Sequence, residues 1–355
     1  METTDDVALL RLAAQRLVGS PCASAADAVR WMGALQAQDE RSARTAVALR
    51  TREGTTAAVA AAMDAGEVVR SWPMRGTLHL VPAEDLGWIL ALTSERLLAG
   101  AASRRAALGL GPEHLERAHH LAVDALSGGR RLRREQLLAR WDEAGLLGVK
   151  QRGYHLLWHL AQSGVVVFGP TRDGEAELVL LREWVARPRA LEREESLGEW
   201  ALRYFRSHGP ATAKDFAWWT GLRAADVRAG VALASPSLEQ VEVDGTAHLM
   251  DPGTPERLAA ARGEAEGVHL LPAFDEHLLG YGDRSAVLPR EHADRVVPGG
   301  NGMFRATVVD GGQVVGTWQR SRSRARTAPP VEATAFTAFS PAVEEALPRL
   351  AAALP

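Results

Sequence analysis

The stretch "EVVRSWPMRGTLHLVP" (67–82) decides the fold, because it consists of two β-rich halves on either side of a tight turn. The turn is expected at Arg75–Gly76, where glycine suits the backbone of a short hairpin. Three segments with the apolar spacing of amphipathic helices precede it, at 5–19, 24–38 and 55–66. Ser24 is a suitable N-cap for the second of these, and Asp27 completes a start resembling a capping box. Three helices followed by a hairpin is the order of a winged helix-turn-helix.

The same order recurs twice along the chain. Helical spacing is found at 112–126, 132–144, 151–164, 196–208, 212–219 and 223–233. A β-rich pair of segments follows each trio, and the second pair has Asp244–Gly245 as its expected turn. From about residue 267 the pattern becomes β-rich with glycine turns, before a last helix at 341–354. The sequence therefore predicts an α+β protein of three tandem winged helix-turn-helix units and a small β-barrel-like C-terminal part. The expected domains are 1–110, 111–190, 191–265 and 266–355.

The composition limits which classes of protein and which binding partners are expected. A net charge of −3 over 355 residues gives no global signature of nucleic-acid binding. The single cysteine, Cys22, excludes an intrachain disulfide and a multi-cysteine metal site. The apolar runs are too short to span a bilayer, and the acidic start "METTDDVALL" differs from a signal peptide. We expect a cytoplasmic monomer with no membrane contact, no metal and no cofactor.

Positive charge is carried almost entirely by arginine. The chain has 39 arginines and only two lysines, Lys150 and Lys214. Four arginines recur at every second position in "QRSRSRART" (319–327), with no acidic residue among them. On an extended strand this spacing places all four on one face, where their mutual repulsion favours an anionic partner. A solvated tail is the alternative interpretation of this row.

Three segments together resemble a bacterial family. They are "LQAQD" (35–39), "VRSWPMRGTLHLV" (69–81) and "LLPAFDEHLLGYGDR…GTWQR" (270–320). In this order they are similar to the winged-helix DNA glycosylases of the AlkZ and YcaQ type. That family includes enzymes that unhook interstrand crosslinks and act in self-resistance to DNA-alkylating natural products. The resemblance implies a monofunctional DNA glycosylase whose partner is damaged double-stranded DNA.

The resemblance also implies site residues. The family's catalytic signature is Gln, an apolar residue, then Gln or Asp; Gln36–Ala37–Gln38 matches the two-glutamine form. Asp39 comes one position too late to match the carboxylate, and is a secondary catalytic candidate. The DNA-binding candidates are Arg75, Thr77, His79, Arg284, Trp318, Arg320, Arg322 and Arg324. For His79 a structural role is the alternative, and for Gln36 and Gln38 a helix-capping role is.

Two amides suit a substrate that supplies its own activation. A glutamine side chain accepts and donates hydrogen bonds but is a poor general base near neutral pH. It can hold a water and stabilise developing positive charge through its carbonyl dipole. An N7-alkylated purine is cationic and leaves as a neutral base, so positioning alone can suffice. Because residues i and i+2 point to different sides of a helix, we expect a helix terminus or loop at Gln36.

Two non-enzymatic functions compete with this interpretation. Winged helices are more often DNA-binding regulators, although no helix here has a strongly basic face. A protein-interaction scaffold is the other alternative, and it would leave Gln36 and Gln38 freely replaceable. Release of N7-methylguanine from DNA distinguishes the enzyme from both.

Overall fold

The structure, a computed structural model, describes residues 4–321 and 330–355. These residues form two compact units. We call Val59–Ser196 the central unit, and Met1–Ala58 with Leu197–Pro355 the split unit. The prediction of four domains stays a prediction.

Helices alternate with hairpins along the chain. The α-helices of the first half are α1 (Thr4–Ala14), α2 (Ala25–Met32), α3 (Glu40–Ala48), α4 (Thr56–Asp64), α5 (Leu86–Gly100), α6 (Ala102–Ala107), α7 (Pro112–Leu126), α8 (Arg134–Glu143), α9 (Arg152–Gln162) and α10 (Leu181–Trp184). Those of the second half are α11 (Arg193–His208), α12 (Ala213–Thr220), α13 (Ala224–Ala234), α14 (Thr254–Ala265), α15 (Glu276–Leu279), α16 (Ala293–Val296) and α17 (Pro341–Ala352). The strands are β1 (Leu35–Gln36), β2 (Val68–Met74), β3 (Thr77–Pro82), β4 (Leu132–Arg133), β5 (Val166–Arg172), β6 (Glu175–Leu180), β7 (Glu239–Val243), β8 (Thr246–Met250), β9 (Val268–Leu271), β10 (Ala306–Asp310), β11 (Gln313–Arg320) and β12 (Val331–Ala335). The α+β class is confirmed, whereas the tandem winged-helix arrangement stays a prediction.

Two hairpins and the short strand β4 form the sheet of the central unit. Its strands pair in the order β3-β2-β5-β6-β4, all antiparallel. The β2–β3 turn lies at Arg75 and Gly76, with φ angles of 54° and 73°, which confirms the predicted hairpin. Trp72 of β2 is buried, and its ring centroid lies 5.7 Å from that of Phe168 on β5. The hairpin is therefore anchored in the core of this unit by an aromatic side chain.

The split unit contains the third run of helices and its hairpin. α11, α12 and α13 are followed by β7 and β8, with the turn at Asp244 and Gly245 as predicted (φ 49° and 73°). Aromatic side chains of α11 and α12 pack together in the interior, where Trp200 lies 6.0 Å from Trp219 between ring centroids. α1 packs along α14 through apolar side chains. α11 and α12 also lie beside Gly33, just before the Gln-x-Gln motif, where an added Cβ would be 3.7 Å from Trp219 and 3.8 Å from Arg203.

The C-terminal part is an open sheet, which corrects the barrel-like expectation. Its four described strands pair antiparallel in the order β12-β11-β10-β9. Val343 and Ala351 of α17 pack in one cluster with Val308 of β10, while Val309 packs in another with Ala8 of α1. Both faces are thus covered by helices, and four strands are too few to close around a filled interior.

The β10–β11 turn approaches α1 closely. Gly312 has φ +79°, and a Cβ placed there would lie 2.8 Å from the Cβ of Ala8. Only glycine satisfies both the backbone angle and the spacing. None of the helices in the described parts of the chain has the length and apolar character needed to cross a membrane.

Candidate active site

The Gln-x-Gln motif lies on non-helical backbone between two helices. α2 begins at the predicted N-cap, where the Ser24 hydroxyl accepts a hydrogen bond from the Asp27 N–H. It ends at Met32, because Gly33 adopts φ 76° and its N–H bonds to the carbonyl of Val29. The segment then runs extended through Leu35–Gln36. The expectation of a helix terminus or loop at Gln36 is confirmed, although α2 ends six residues before the predicted limit.

The two glutamines differ in exposure. Gln36 is 8% exposed and Ala37 is fully buried, whereas Gln38 and Asp39 are exposed. Asp39 is the N-cap of α3, since its Oδ1 accepts a hydrogen bond of 2.8 Å from the Ser42 N–H. α3 was not predicted, although an aspartate followed by Glu40 is a signal for a helix start.

A buried carboxylate holds the backbone of Gln36. The Oε1 atom of Glu276 accepts a hydrogen bond of 2.9 Å from the Gln36 N–H. Its Oε2 atom accepts one of 3.0 Å from the indole N–H of Trp219, and lies 3.5 Å from Nε2 of His208. Glu276 is 1% exposed. Burial lowers the pKa of His208 although the neighbouring Glu276 carboxylate opposes that shift. His208 is therefore neutral near pH 7.

A second ion pair fixes the residue before Glu276. Arg50, immediately beyond the C-cap of α3, forms a bidentate pair with Asp275, and both N–O distances are 2.9 Å. The side chain of Gln15, which follows α1, accepts from Arg50 and donates to the main-chain carbonyl of Glu276 and to the Tyr281 hydroxyl. All of these side chains are buried. Sequence reasoning missed Gln15, Arg50 and Glu276, since their partners lie hundreds of positions away in the chain.

A cleft of about 560 Å³ in the split unit has Asp39 at its edge. It brings Asp39 together with two predicted DNA-binding residues, Trp318 and Arg320, and adds two arginines, Arg41 and Arg305. Burial, with the positive charge of Arg41, lowers the pKa of Arg320. The three guanidinium groups outnumber the two carboxylates of the cleft, Asp39 and Glu332, and this excess of positive charge favours an anion there. Arg41 and Arg305 belong to no periodic pattern in the sequence, and neither was predicted.

Two of the predicted DNA-binding residues in this cleft, Trp318 and Arg320, also form hydrogen bonds within the protein. Trp318 is 8% exposed and donates its indole N–H to the carbonyl of Leu271 at 2.9 Å. Arg320 donates from Nη2 to the carbonyl of Pro355 at 2.9 Å. Arg322 and Arg324, the next members of the arginine row, lie outside the described residues.

Arg284 lies elsewhere in the split unit. Its guanidinium stacks at 4.9 Å from the ring centroids of both Trp218 and Phe304. Its Nε donates to the carbonyl of Leu278 at 2.9 Å. The Arg284 side chain therefore packs against aromatic rings, while the bidentate pair of this region joins Asp275 to Arg50.

The remaining predicted DNA contacts cluster at the hairpin tip of the central unit. Arg75 occupies the turn, and its Nη2 lies 3.4 Å from Nε2 of His79. His79 is fully buried, with Nδ1 2.9 Å from the Thr77 carbonyl oxygen. Burial favours the structural alternative for His79, because its ring is inaccessible in this conformation. Arg75 and Thr77 are partly exposed at the tip.

Comparisons with known proteins show the family to which the chain belongs. A family model described as DNA glycosylase AlkZ-like matches residues 29–353. The interstrand DNA cross-link repair glycosylase of Streptomyces sahachiroi is 28% identical over 309 residues, which cover 83% of this chain and 82% of that protein. The solved structure of Streptomyces sahachiroi DNA glycosylase AlkZ has a TM-score of 0.80 and 26% identity, covering 99% of this chain and 97% of that one. The chain belongs to the AlkZ-like DNA glycosylase family, and the protein is a DNA-repair glycosylase.

Proposed function

We propose that this glycosylase hydrolyses the N-glycosidic bond of N7-alkylated purines in damaged double-stranded DNA, including those in interstrand crosslinks. In this proposal Gln36 and Gln38 position the attacking water. The observation that carries it is the end of α2 at Gly33, which leaves both glutamines on non-helical backbone. The name of the Streptomyces sahachiroi relative supports crosslinked DNA as a substrate.

The chemistry requires little more than positioning. An alkyl group on N7 makes the purine cationic, so the base departs neutral when the bond from C1′ breaks. The amide oxygens of Gln36 and Gln38 accept hydrogen bonds from the water and stabilise the positive charge that develops on the sugar. The water oxygen bonds to C1′ as the bond to the base breaks, and the water's proton passes to solvent. Positioning of this kind contributes several kcal/mol, about 7–11 in the best intramolecular cases. Unmodified purines leave as anions and are spared, because these side chains supply no acid.

The proposed reaction has no covalent intermediate. A Schiff base with the sugar needs an amine, and neither Lys150 nor Lys214 is among the residues that line the cleft at Asp39. The product is therefore an intact strand with an abasic site. Borohydride should trap no protein–DNA adduct, and strand breaks should appear only after alkali.

We propose that arginines bind the DNA backbone. In the split unit the cleft residues Arg41, Arg305 and Arg320 are suited to phosphates, with Arg322 and Arg324 continuing the row in sequence. In the central unit Arg75 at the hairpin tip is suited to a groove or backbone contact. Binding that uses such contacts weakens steeply as salt rises.

We further propose that three winged helix-turn-helix units span 1–110, 111–190 and 191–265, followed by a C-terminal domain at 266–355. The support is that β2–β3, β5–β6 and β7–β8 each follow a run of helices. We also propose that the protein acts as a cytoplasmic monomer, and that it protects its host from an alkylating natural product.

One assay tests the enzyme proposal. Duplex DNA carrying N7-methylguanine, or a guanine N7–N7 crosslink made with a nitrogen mustard, is incubated with excess enzyme. Released base is measured by mass spectrometry, and unhooking by denaturing gel. The wild type should release both lesions, while Gln36→Ala and Gln38→Ala should each lower the single-turnover rate constant at least tenfold.

A control variant tests whether replacing a glutamine outside the motif also lowers the rate. Gln240 is an exposed glutamine on β7 of the same unit, and Gln240→Ala should leave the rate within twofold. Full activity in both motif variants would contradict the amide mechanism. Activity on DNA without an N7 adduct would contradict the substrate class.

A further inference from the structure

We propose that Glu276 is a positioning residue, which holds the backbone at Gln36 in the conformation that hydrolysis needs. The proposal rests on the function proposed above, because it assigns a means of orienting one of the two glutamines. Glu276 belongs to neither the Gln-x-Gln motif nor the cleft, and it acts from the protein interior through a main-chain contact.

The contact is specific in geometry. Each carboxylate oxygen of Glu276 accepts one short hydrogen bond, from the Gln36 N–H at 2.9 Å and from the Trp219 indole at 3.0 Å. Because the two donors bind different oxygens, the orientation of the carboxylate plane is fixed. A bond to an ionised acceptor is stronger than one between neutral groups. The peptide plane that precedes the Gln36 side chain is thereby fixed as well.

The short helix that carries Glu276 is itself held from several sides. The Arg50–Asp275 pair secures its N-terminus, where Asp275 also accepts from the His277 N–H at 2.9 Å. Gln15 donates to the main-chain carbonyl of Glu276 at 3.2 Å. At the C-terminal end, a Cβ on Gly280 would lie 2.5 Å from the His208 ring. The glycine therefore permits the close packing that brings His208 beside the carboxylate.

A carboxylate suits this position because it offers one oxygen to each of two buried donors. Burying an ionised group costs several kcal/mol unless its hydrogen bonds and charge are compensated. A neutral amide has only one acceptor oxygen for the Gln36 N–H and the Trp219 indole N–H. The carboxylate thus links the backbone of the Gln-x-Gln motif to α12, at a place where small errors of position matter most. A displacement of about 1 Å at a reacting group can cost about 10²-fold in rate.

A double-mutant cycle tests the proposal on the full-length protein. Glu276→Gln preserves the size of the side chain but replaces one oxygen by an NH2, which cannot accept from Gln36 and Trp219 together. We expect it to lower the single-turnover rate constant on N7-methylguanine DNA about tenfold or more, with the Kd for that DNA unchanged within threefold. In the Gln36→Ala background the same change should cost less than twofold, because no side-chain amide is left to orient.

A second measurement is independent of catalysis. Hydrogen exchange of the segment 33–39 should become at least tenfold faster at the Gln36 amide in Glu276→Gln. The matched control is Asp215→Asn, another buried carboxylate of the same unit, which accepts from the N–H groups of Thr212, Gly282 and Asp283. It should leave both the exchange of 33–39 and the rate within twofold. If Glu276→Gln does not fold, Glu276→Asp keeps the charge and is too short to reach both donors.

The outcomes separate the two proposals. Full activity in both Gln36→Ala and Gln38→Ala would overturn the amide mechanism, and full activity in Gln36→Ala alone would already overturn the role of Glu276. A loss in Gln36→Ala together with an equal loss from Glu276→Gln in both backgrounds would overturn only the positioning role. So would unchanged exchange at Gln36, or a weakening of DNA binding as large as the loss of rate.

Discussion

The Gln-x-Gln segment of the split unit and the hairpin tip of the central unit are both non-helical turns that carry candidate site residues, yet they are held in different ways. The hairpin tip is fixed locally, by positive φ angles at Arg75 and Gly76 and by the contact of Arg75 with His79 four residues on. The segment at Gln36 is fixed by Glu276, which is 240 positions away in the chain. The conformation of the hairpin tip thus depends on the backbone preferences of neighbouring residues. The conformation at Gln36 depends instead on a buried charged side chain that is distant in sequence.

This difference predicts unequal sensitivity to mutation. A turn that fixes itself loses about 1 kcal/mol when its conformation is disfavoured. A segment held by a buried ionic network loses several kcal/mol when one member is removed, because the partner is left charged and unpaired. The largest losses are therefore expected in the buried ionic network and the smallest at local turns and caps.

The largest effect is expected for Arg50→Ala. Arg50 and Asp275 are both buried and form a bidentate pair, so the variant leaves a buried carboxylate without its partner. The free energy of unfolding should fall by about 3–5 kcal/mol. Denaturant unfolding followed by tryptophan fluorescence measures the change. The control is Arg52→Ala, an exposed arginine two residues on, which should change stability by less than about 0.5 kcal/mol.

Acidification should weaken the same region through His277. Burial lowers the pKa of His277 to about 4, from an unfolded value near 6.5, and its Nε2 lies 3.2 Å from the Gly312 carbonyl oxygen. The folded protein keeps this ring neutral while the unfolded chain protonates it, so stability is full above pH 6.5 and is lost as pH falls towards 4. Between pH 7 and pH 5 the loss should be roughly 2 kcal/mol.

The matched variant isolates that contribution. His277→Gln should show a smaller fall in the free energy of unfolding between pH 7 and pH 5, by roughly the same 2 kcal/mol. The pKa values of His208 and His269 are also lowered by burial, and both residues remain in the variant. An unchanged pH dependence in His277→Gln would show that another group carries the effect.

The difference between local and long-range contacts also explains which features could be predicted from the sequence. Turn chemistry at Arg75–Gly76 and Asp244–Gly245, and the Ser24 N-cap, follow from preferences of neighbouring residues, and all three were predicted correctly. The contact of Gln36 with Glu276 could not be predicted, because nothing in "FDEHLLG" (274–280) shows that Glu276 lies against residue 36 in the folded protein. The barrel-like expectation failed for a related reason. Strand pattern gives the number of strands, but their closure depends on which helices cover the sheet.

At the hairpin tip, Gly76→Ala should cost only about 1 kcal/mol. Gly76 has φ +73° and a Cβ there would meet no atom within 4 Å, so backbone strain is the whole penalty. Gly87 provides the control within the same unit, since it lies in α5 and its Cβ would also meet nothing. Gly87→Ala should be neutral or stabilising by up to about 1 kcal/mol, through helix propensity. A loss above about 3 kcal/mol in Gly76→Ala would contradict purely local fixing.

The smallest effect is expected at Asp39. This residue makes a local capping bond, yet it directly follows the motif whose backbone is held by the distant residue Glu276. Asp39 caps α3 through a single local bond to the Ser42 N–H, although it adjoins a motif that is held from a distance. Asp39→Ala should cost about 1 kcal/mol, and Asp39→Asn only a few tenths, since asparagine caps as well as aspartate. If Asp39 serves only as a cap, Asp39→Asn keeps the single-turnover rate constant within about twofold. A tenfold loss of rate in Asp39→Asn at unchanged stability would instead make the carboxylate part of the water-positioning group, and its charge would then matter as much as the two amides.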